Sequence, residues 1–244
     1  MSLVDQATEN KLPIYQAMDK ETLQWIIQNN PLPKVSFHKY KFNFDILDKL
    51  NQFTPKTEWF LNERTINGIH GLRHLLRVSA LALKIAENNH IEEDKIINLI
   101  IAASLHDIRR NNDNGDKGHG ERCSEWFLNN KVDILTTYRL ENKGIINPEL
   151  ISKIIFFHDI DSESIKSGSD ESILLDILRS SDGLDRYRQP KLKWWPDFNR
   201  FKSTPLLEDQ AFAYNLVVSS EEKYLQGFSS IDAVISSIKE LISQ

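Results

Sequence analysis

The sequence predicts an all-α fold, a compact helical bundle, and three observations carry that expectation. Apolar residues recur at helical spacing along most of the chain. Glycine (9) and proline (8) are scarce, and there is neither a fixed-period repeat nor a low-complexity tract. Residues 21–29 read as a short amphipathic helix, closed by Asn30-Pro31-Leu32-Pro33. Residues 35–44 alternate weakly (Val35, Phe37, then Tyr40, Phe42, Phe44) and fit a strand or an extended arm. A helix is expected over 45–53. Nine of the twelve residues in 75–86 are apolar, and a helix apolar all round is buried in a core. Residues 93–106 form a second such helix, carrying Ile96, Ile97, Leu99, Ile100, Ile101, Ala102, Ala103 and Leu105. The run 111–118 (NNDNGDKG) consists of turn formers. A helix is expected over 119–129, and Pro148 after Asn147 opens another over 148–158. Segments 172–185, 206–226 and 231–243 complete the helices. No linker-like composition divides the chain. The expected organisation is a helical extension, 1–65, packing on a core, 66–244, as one structural domain.

Composition narrows the function classes. The 244 residues are 40% hydrophobic and 27% charged, enough to bury a sizeable core. A net charge of −5 and a pI near 5.8 argue against a general nucleic-acid binder. The single cysteine, Cys123, excludes an intramolecular disulfide and a cysteine-built zinc cluster. The longest nearly apolar run, 96–105, is about half the ~20 residues that span a bilayer. The start MSLVDQATENK lacks a basic-then-apolar signal pattern. The expectation is a cytoplasmic protein with no membrane partner.

The chemistry lies where the histidines fall. His106-Asp107 ends an apolar helix, and His70 and His74 begin another at i,i+4 spacing, which projects both rings from one face. Burying these groups costs several kcal/mol unless they are paired. A divalent cation is an efficient partner for imidazole and carboxylate together. For an isolated His-Asp pair the plainer reading is a bond to each other or to a helix end.

The pair is not isolated. The order His74-Leu75-Leu76-Arg77-Val78, then His106-Asp107, then Asp182 in Ser181-Asp182-Gly183-Leu184-Asp185 resembles the HD-domain superfamily of metal-dependent phosphohydrolases. The resemblance covers roughly residues 69–188, and His119-Gly120 and His158 match positions where many members carry further histidines. It implies a helical bundle of the HD-domain type over 66–244, with His74, His106, Asp107 and Asp182 as metal ligands. His119 and His158 would be second-metal ligands, or an acid and a phosphate contact. One or two divalent ions (Mn, Ni, Co, Mg, Fe or Zn) would activate water against a nucleotide-like or other small phosphate ester. In that reading Asp107, His119 and Lys117 are catalytic, and His70, Arg73, Arg77, Arg109, Asp185 and Arg188 face the substrate. The helical wheel does not choose between Asp182 and Asp185 as the last ligand. The resemblance chooses Asp182 and leaves Asp185 to orient a ligand histidine or pair with Arg77 or Arg186.

The sequence also departs from the pattern. His106-Asp107 runs on into Ile108-Arg109-Arg110, where a glycine and a lysine often follow, and no Gly-Tyr-Pro signature occurs. Two other classes would use the same residues: an HD-like di-iron oxygenase, and a non-catalytic metal-stabilised ligand-sensing module. The alternation of Asp159, Asp161 and Glu163 fails the calcium-loop template at Ser164 and Asp170, and reads as a solvated loop. Cys123 reads as packing and His38 and His90 as surface residues. Trp194-Trp195 could stack a base, although such a pair before Pro196 more often anchors a loop on the core.

Overall fold

The computed structural model describes residues 1–33, 40–42, 45–141, 144–160, 165–202 and 205–242. In chain order the helices are α1 (Leu3–Thr8), α2 (Lys20–Gln28), α3 (Ile46–Gln52), α4 (Leu72–Asn88), α5 (Glu93–Leu105), α6 (His119–Thr137), α7 (Pro148–Phe157), α8 (Asp170–Asp185), α9 (Leu207–Leu225) and α10 (Ser230–Leu241). Among the described residues there is no strand, only one parallel bridge between Tyr40 and Ile242. The all-α bundle expected from the sequence is the fold found. Of the weakly alternating arm, residues 35–39, 43 and 44 lie outside the described residues, as do His38, Asp161, Glu163, Ser164 and Ser243.

Two helices differ from expectation. α1 was not foreseen; it is set by a capping box, in which Ser2 accepts the Asp5 N–H and the Asp5 carboxylate accepts the Ser2 N–H. α6 runs to Thr137 rather than stopping at 129. Asn130 donates back to the Trp126 carbonyl instead of breaking the helix, and Phe127 and Ile134 continue its buried face.

The centre of the bundle is α4, buried at every position from Leu72 to Ala86. It packs against α5, α8, α9 and α10, while α7 lies on α5 and α6 lies along α7. Its burial includes Arg73, Arg77 and Lys84, which demands counter-charges from neighbours. α9 supplies them: Glu221 to both arginines and Glu208 to Lys84. From the N-terminal part, α2 packs on α9, and α3 on α4 and α10.

Two glycines bring the site together. A Cβ on Gly71 would lie 2.1 Å from the Ile66 carbonyl oxygen, so the chain can fold tightly back before entering α4 only without a side chain. A Cβ on Gly120 would lie 2.7 Å from Asp159 Oδ1 and 2.9 Å from the Ile155 carbonyl oxygen. That close approach seats the start of α6 against the end of α7. Among the described residues no helix is long and apolar enough to cross a membrane.

Candidate metal centre

Four histidines arrive at one place from helix ends. His106 follows the last turn of α5 and His158 the last turn of α7, where backbone carbonyls have no helical partner. The rings use those carbonyls: His106 Nδ1–H donates to Ala103 O at 2.8 Å, and His158 Nδ1–H to Ile155 O at 2.6 Å. His119 opens α6 and donates from Nδ1 to Asp116 O at 2.7 Å. His74, inside α4, donates from Nδ1 to Asp185 Oδ2 at 2.8 Å.

A carbonyl or a carboxylate oxygen can only accept, so each Nδ1 carries its proton and each neutral ring turns an Nε2 lone pair inward. These lone pairs face one another and two carboxylates. His74 Nε2 lies 3.2 Å from His106 Nε2, 3.4 Å from Asp182 Oδ1 and 3.5 Å from Asp107 Oδ2, while His106 Nε2 is 4.0 Å from Asp107 Oδ2. On the other side, Asp107 Oδ1 lies 2.9 Å from His119 Nε2 and 3.5 Å from His158 Nε2, and those two nitrogens are 2.9 Å apart. Asp107 therefore gives one oxygen to each of two clusters. Atoms bound to one ion at ~2.0–2.3 Å stand ~3–4 Å apart. The spacings fit that requirement, although His119 Nε2 also faces a protein donor, Arg110 Nη1 at 3.3 Å.

Three overlapping groupings could hold a metal ion: His74 with His106 and Asp182, His119 with His158 and Asp159, and, between the two clusters, His106 with Asp107 and His158. Asp159, which the sequence reading left in a solvated loop, has Oδ2 3.1 Å from His119 Nδ1. It follows His158 directly, and that adjacency was its one sequence signal.

The electrostatics favour ionised carboxyls at Asp107 and Asp182 and a neutral ring at His106, and act the other way at His119. Burial opposes the Asp107 charge, but Arg110, His119 and His106 outweigh it and hold the carboxyl well below its ordinary value. Burial likewise opposes the charge on Asp182, and His74, His106 and Arg188 lower it. Burial pushes His106 down to about 3. It would also lower His119, yet Asp107 reverses the shift and raises that ring above its usual value.

Behind His74 runs a buried ionic chain. Asp185 accepts from Arg77 Nε at 2.6 Å and Arg77 Nη2 at 3.1 Å, and Arg77 Nη1 donates to Glu221 Oε1 at 2.7 Å. Glu221 Oε2 accepts from Arg73 Nε at 3.0 Å. Two substrate assignments made from sequence, Arg73 and Arg77, are thereby corrected, and of the two places expected for Asp185 it takes the one beside a histidine and Arg77 and not the one facing substrate. Asp185 orients His74, and Arg73 and Arg77 are 1% exposed in these pairs. Neither arginine reaches the cavity.

That cavity, about 110 Å³, is lined by His70, Asp107, Arg110, His119, His158, Asp159, Asp182, Arg186, Arg188 and Gln189. Arg109 is not among them: its guanidinium donates to Trp59 O and lies over the Trp126 ring. Lys117, expected to be catalytic, is exposed and also absent from the lining. Arg110 takes their place, with Nη1 3.5 Å from Asp107 Oδ1. It stands i,i+3 from Asp107, a spacing that could have selected it over Arg109. Arg188 does line the cavity, and its buried Nη1 lies 3.2 Å from Asp185 Oδ2 without hydrogen-bond alignment.

His70 corresponds only partly to its expected place. It precedes Gly71, outside α4, yet its ring meets the His74 ring edge-on with centroids 5.8 Å apart, so the two rings project together as expected without sharing a helix. Its ring reaches the wall because Asp113 accepts from its backbone N–H at 3.3 Å and faces its Nδ1 at 3.2 Å. Cys123 is buried and donates to the Leu105 carbonyl, a packing role, and His90 is exposed beyond α4.

Against known proteins, no family model, no curated protein and no solved structure matches this chain.

Proposed function

We propose that this chain is a metal-dependent phosphohydrolase of the HD-domain kind, acting on a nucleotide or another small phosphate ester. One observation carries the reading: four Nε2 lone pairs and the carboxylates of Asp107 and Asp182 converge, with the two Asp107 oxygens divided between two clusters. His74, His106, Asp107 and Asp182 would hold one divalent ion, and Asp107, His119 and His158 a second, with Asp159 beside them. Such ions supply a Lewis acid and activate water near neutral pH. The chain's own residues do the rest. Arg110, Arg186 and Arg188 line a cavity of about 110 Å³, where guanidinium donors suit a phosphoryl group. The carbonyls behind His106, His119 and His158 hold Nδ1–H and so aim each Nε2 at the centre.

A second reading, a di-iron oxygenase, draws on the same shared carboxylate. The arginines favour the phosphoryl substrate over it. Metal analysis followed by a hydrolysis screen of nucleotides and phosphomonoesters with Mn, Ni, Co and Mg tests the proposal. Phosphate release that depends on added metal supports it. Stoichiometric iron with oxygen consumption and no phosphate release overturns it.

A further inference from the structure

A second cavity, about 340 Å³, adjoins the metal centre and shares His70, Arg110, Arg186 and Gln189 with it. Its remaining walls are Leu12, Gln16, Asp113, Asn114, Gly115 and Trp194. The volume is at the small end of the ~300–1,000 Å³ typical of small-molecule sites. We propose that this cavity binds the base of a nucleotide, specifically a base with an exocyclic amine, while the phosphate occupies the metal-lined cavity. The inference rests on the phosphohydrolase reading and adds to it which segments select the substrate.

The N-terminal segment is built into this wall. Asp113 N–H donates to Ile14 O, Gln16 N–H donates to Asp113 Oδ2, and Ile69 N–H donates to Gln16 O, each at 2.8 Å. Gln16 is 3% exposed. Its Nε2 donates to Asn114 Oδ1 at 2.7 Å and to the Asp113 carbonyl at 3.3 Å. Two acceptors around the nitrogen fix the amide orientation, and they leave Oε1 buried without a partner. An unpaired buried acceptor costs ~1–3 kcal/mol, and a ligand N–H would satisfy it once the Gln16 side chain turned toward the cavity, since Oε1 is closed off as it stands.

Since Asn114 Oδ1 is taken by Gln16, its Nδ2 remains as a donor beside that acceptor. The amide of Gln189 lines the same space. Amide groups presenting an acceptor and donors side by side match the edge of an amine-bearing base. Trp194, half-buried, supplies the aromatic surface that bases stack on. It is free for this because its neighbour does the anchoring. Trp195 is buried, donates from Nε1 to Gln189 O at 2.8 Å and packs edge-on against Trp25 and Tyr187. Lys191 and Lys193 approach the Trp194 ring at 4.8 Å and 5.9 Å, so the ring already attracts cations, which a stacking base would displace.

The test compares adenosine 5′-monophosphate with ribose 5-phosphate, which carries the phosphate and sugar but no base. Binding is followed by tryptophan fluorescence on the full chain, as purified and again with EDTA to bar turnover. The wild type is expected to bind the nucleotide about tenfold or more tightly than the sugar phosphate. Trp194→Ala and Gln16→Ala should each reduce that ratio while leaving ribose 5-phosphate affinity and metal content unchanged. Equal affinities in the wild type, or a ratio that survives both substitutions, overturns the base site. The two readings separate cleanly. Metal-dependent hydrolysis of p-nitrophenyl phosphate without base preference removes the pocket and keeps the hydrolase. Base preference without hydrolysis of any ester does the reverse.

Discussion

Asp185→Asn should show that the ionic chain behind His74 sets both stability and metal affinity. Asp185 accepts three hydrogen bonds, one from His74 Nδ1 and two from Arg77, and it is fully buried. An asparagine keeps one acceptor oxygen and turns an NH₂ toward the remaining donors. Hydrogen bonds to charged groups are worth ~1.5–3 kcal/mol each. Breaking one side of a buried pair costs ~3–5 kcal/mol, because the other charge is left uncompensated. The expected loss in metal-free protein is therefore ~3–5 kcal/mol, read from urea unfolding. Metal affinity should also fall, by ~10–100-fold, since the His74 ring loses the partner that fixes its tautomer. It is measured by competition with a chromophoric chelator, under conditions where circular dichroism reports native helix. The pH dependence has a definite sign. Burial would raise the Asp185 carboxyl, but Arg77 and Arg188 hold it well below the usual range. Its stabilisation is thus complete above the unfolded value of ~3.9 and is lost as pH falls through the lower folded value. The gap between wild type and variant should stay constant from neutrality to about pH 4 and narrow below it. A variant with unchanged urea midpoint and unchanged metal affinity would refute the reasoning.

Three further outcomes are expected. Asp107→Asn should lower metal content at both clusters, whereas Asp182→Ala should empty only the one at His74 and His106; elemental analysis of the purified variants distinguishes these results, and equal losses would contradict the division of the Asp107 oxygens. Gly120→Ala places a Cβ 2.7 Å from Asp159 Oδ1, so it should force α6 from α7, destabilise by ~1–3 kcal/mol and weaken the cluster at His119 and His158; a calorimetric melt and metal titration check it. Metal uptake should release a proton from His119, whose pKa is raised by Asp107 against the effect of burial, but none from His106, pushed down to about 3; affinity at the His119 cluster should rise with pH and level off above the His119 pKa, as proton release in weak buffer would report.

The fold class was legible because it depends on periodicity, and 75–86 and 93–106 carry that signal without interruption. The cluster residues were legible for a related reason: a histidine at the end of an apolar helix stands out against its surroundings. What escaped depends on tertiary partners. Arg73 and Arg77 read as phosphate contacts because nothing local announces that Glu221, 148 and 144 residues away, will neutralise them. The rings of His70 and His74 do come together, at 5.8 Å, but through the turn at Gly71, where the chain folds back on the Thr65 and Ile66 carbonyls, and not through a shared helix. Lys117 was chosen from a loop that reaches the site, but its side chain turns to solvent. The N-terminal segment gave no motif at all, since Gln16 joins the site through backbone bonds to Asp113 and Ile69.

Charge bookkeeping around the centre bears on substrate choice. Four carboxylates, Asp107, Asp182, Asp185 and Glu221, face four arginines, Arg73, Arg77, Arg110 and Arg188. Formally these cancel, which allows so polar a cluster to be buried before any ion binds. The pairings are not uniform. Asp185 and Glu221 are satisfied by Arg73 and Arg77 away from the cavity, whereas Asp107 and Asp182 line it with Arg110 and Arg188. A divalent ion held by Asp107 and Asp182 adds two charges, which the further carboxylates nearby, Asp113 and Asp159, offset only in part once Arg186 on the cavity wall is counted as well. Arg110, Arg186 and Arg188 then border a positive excess in a small, low-dielectric space, where Coulomb interactions are strongest. A neutral substrate would leave that excess uncompensated, and a phosphate ester would cancel it. In the proposed reading the same arrangement gives a reason for Asp182 to be the more open of the two acids, with 36% of its side chain exposed: it would be the one that an incoming phosphoryl group approaches.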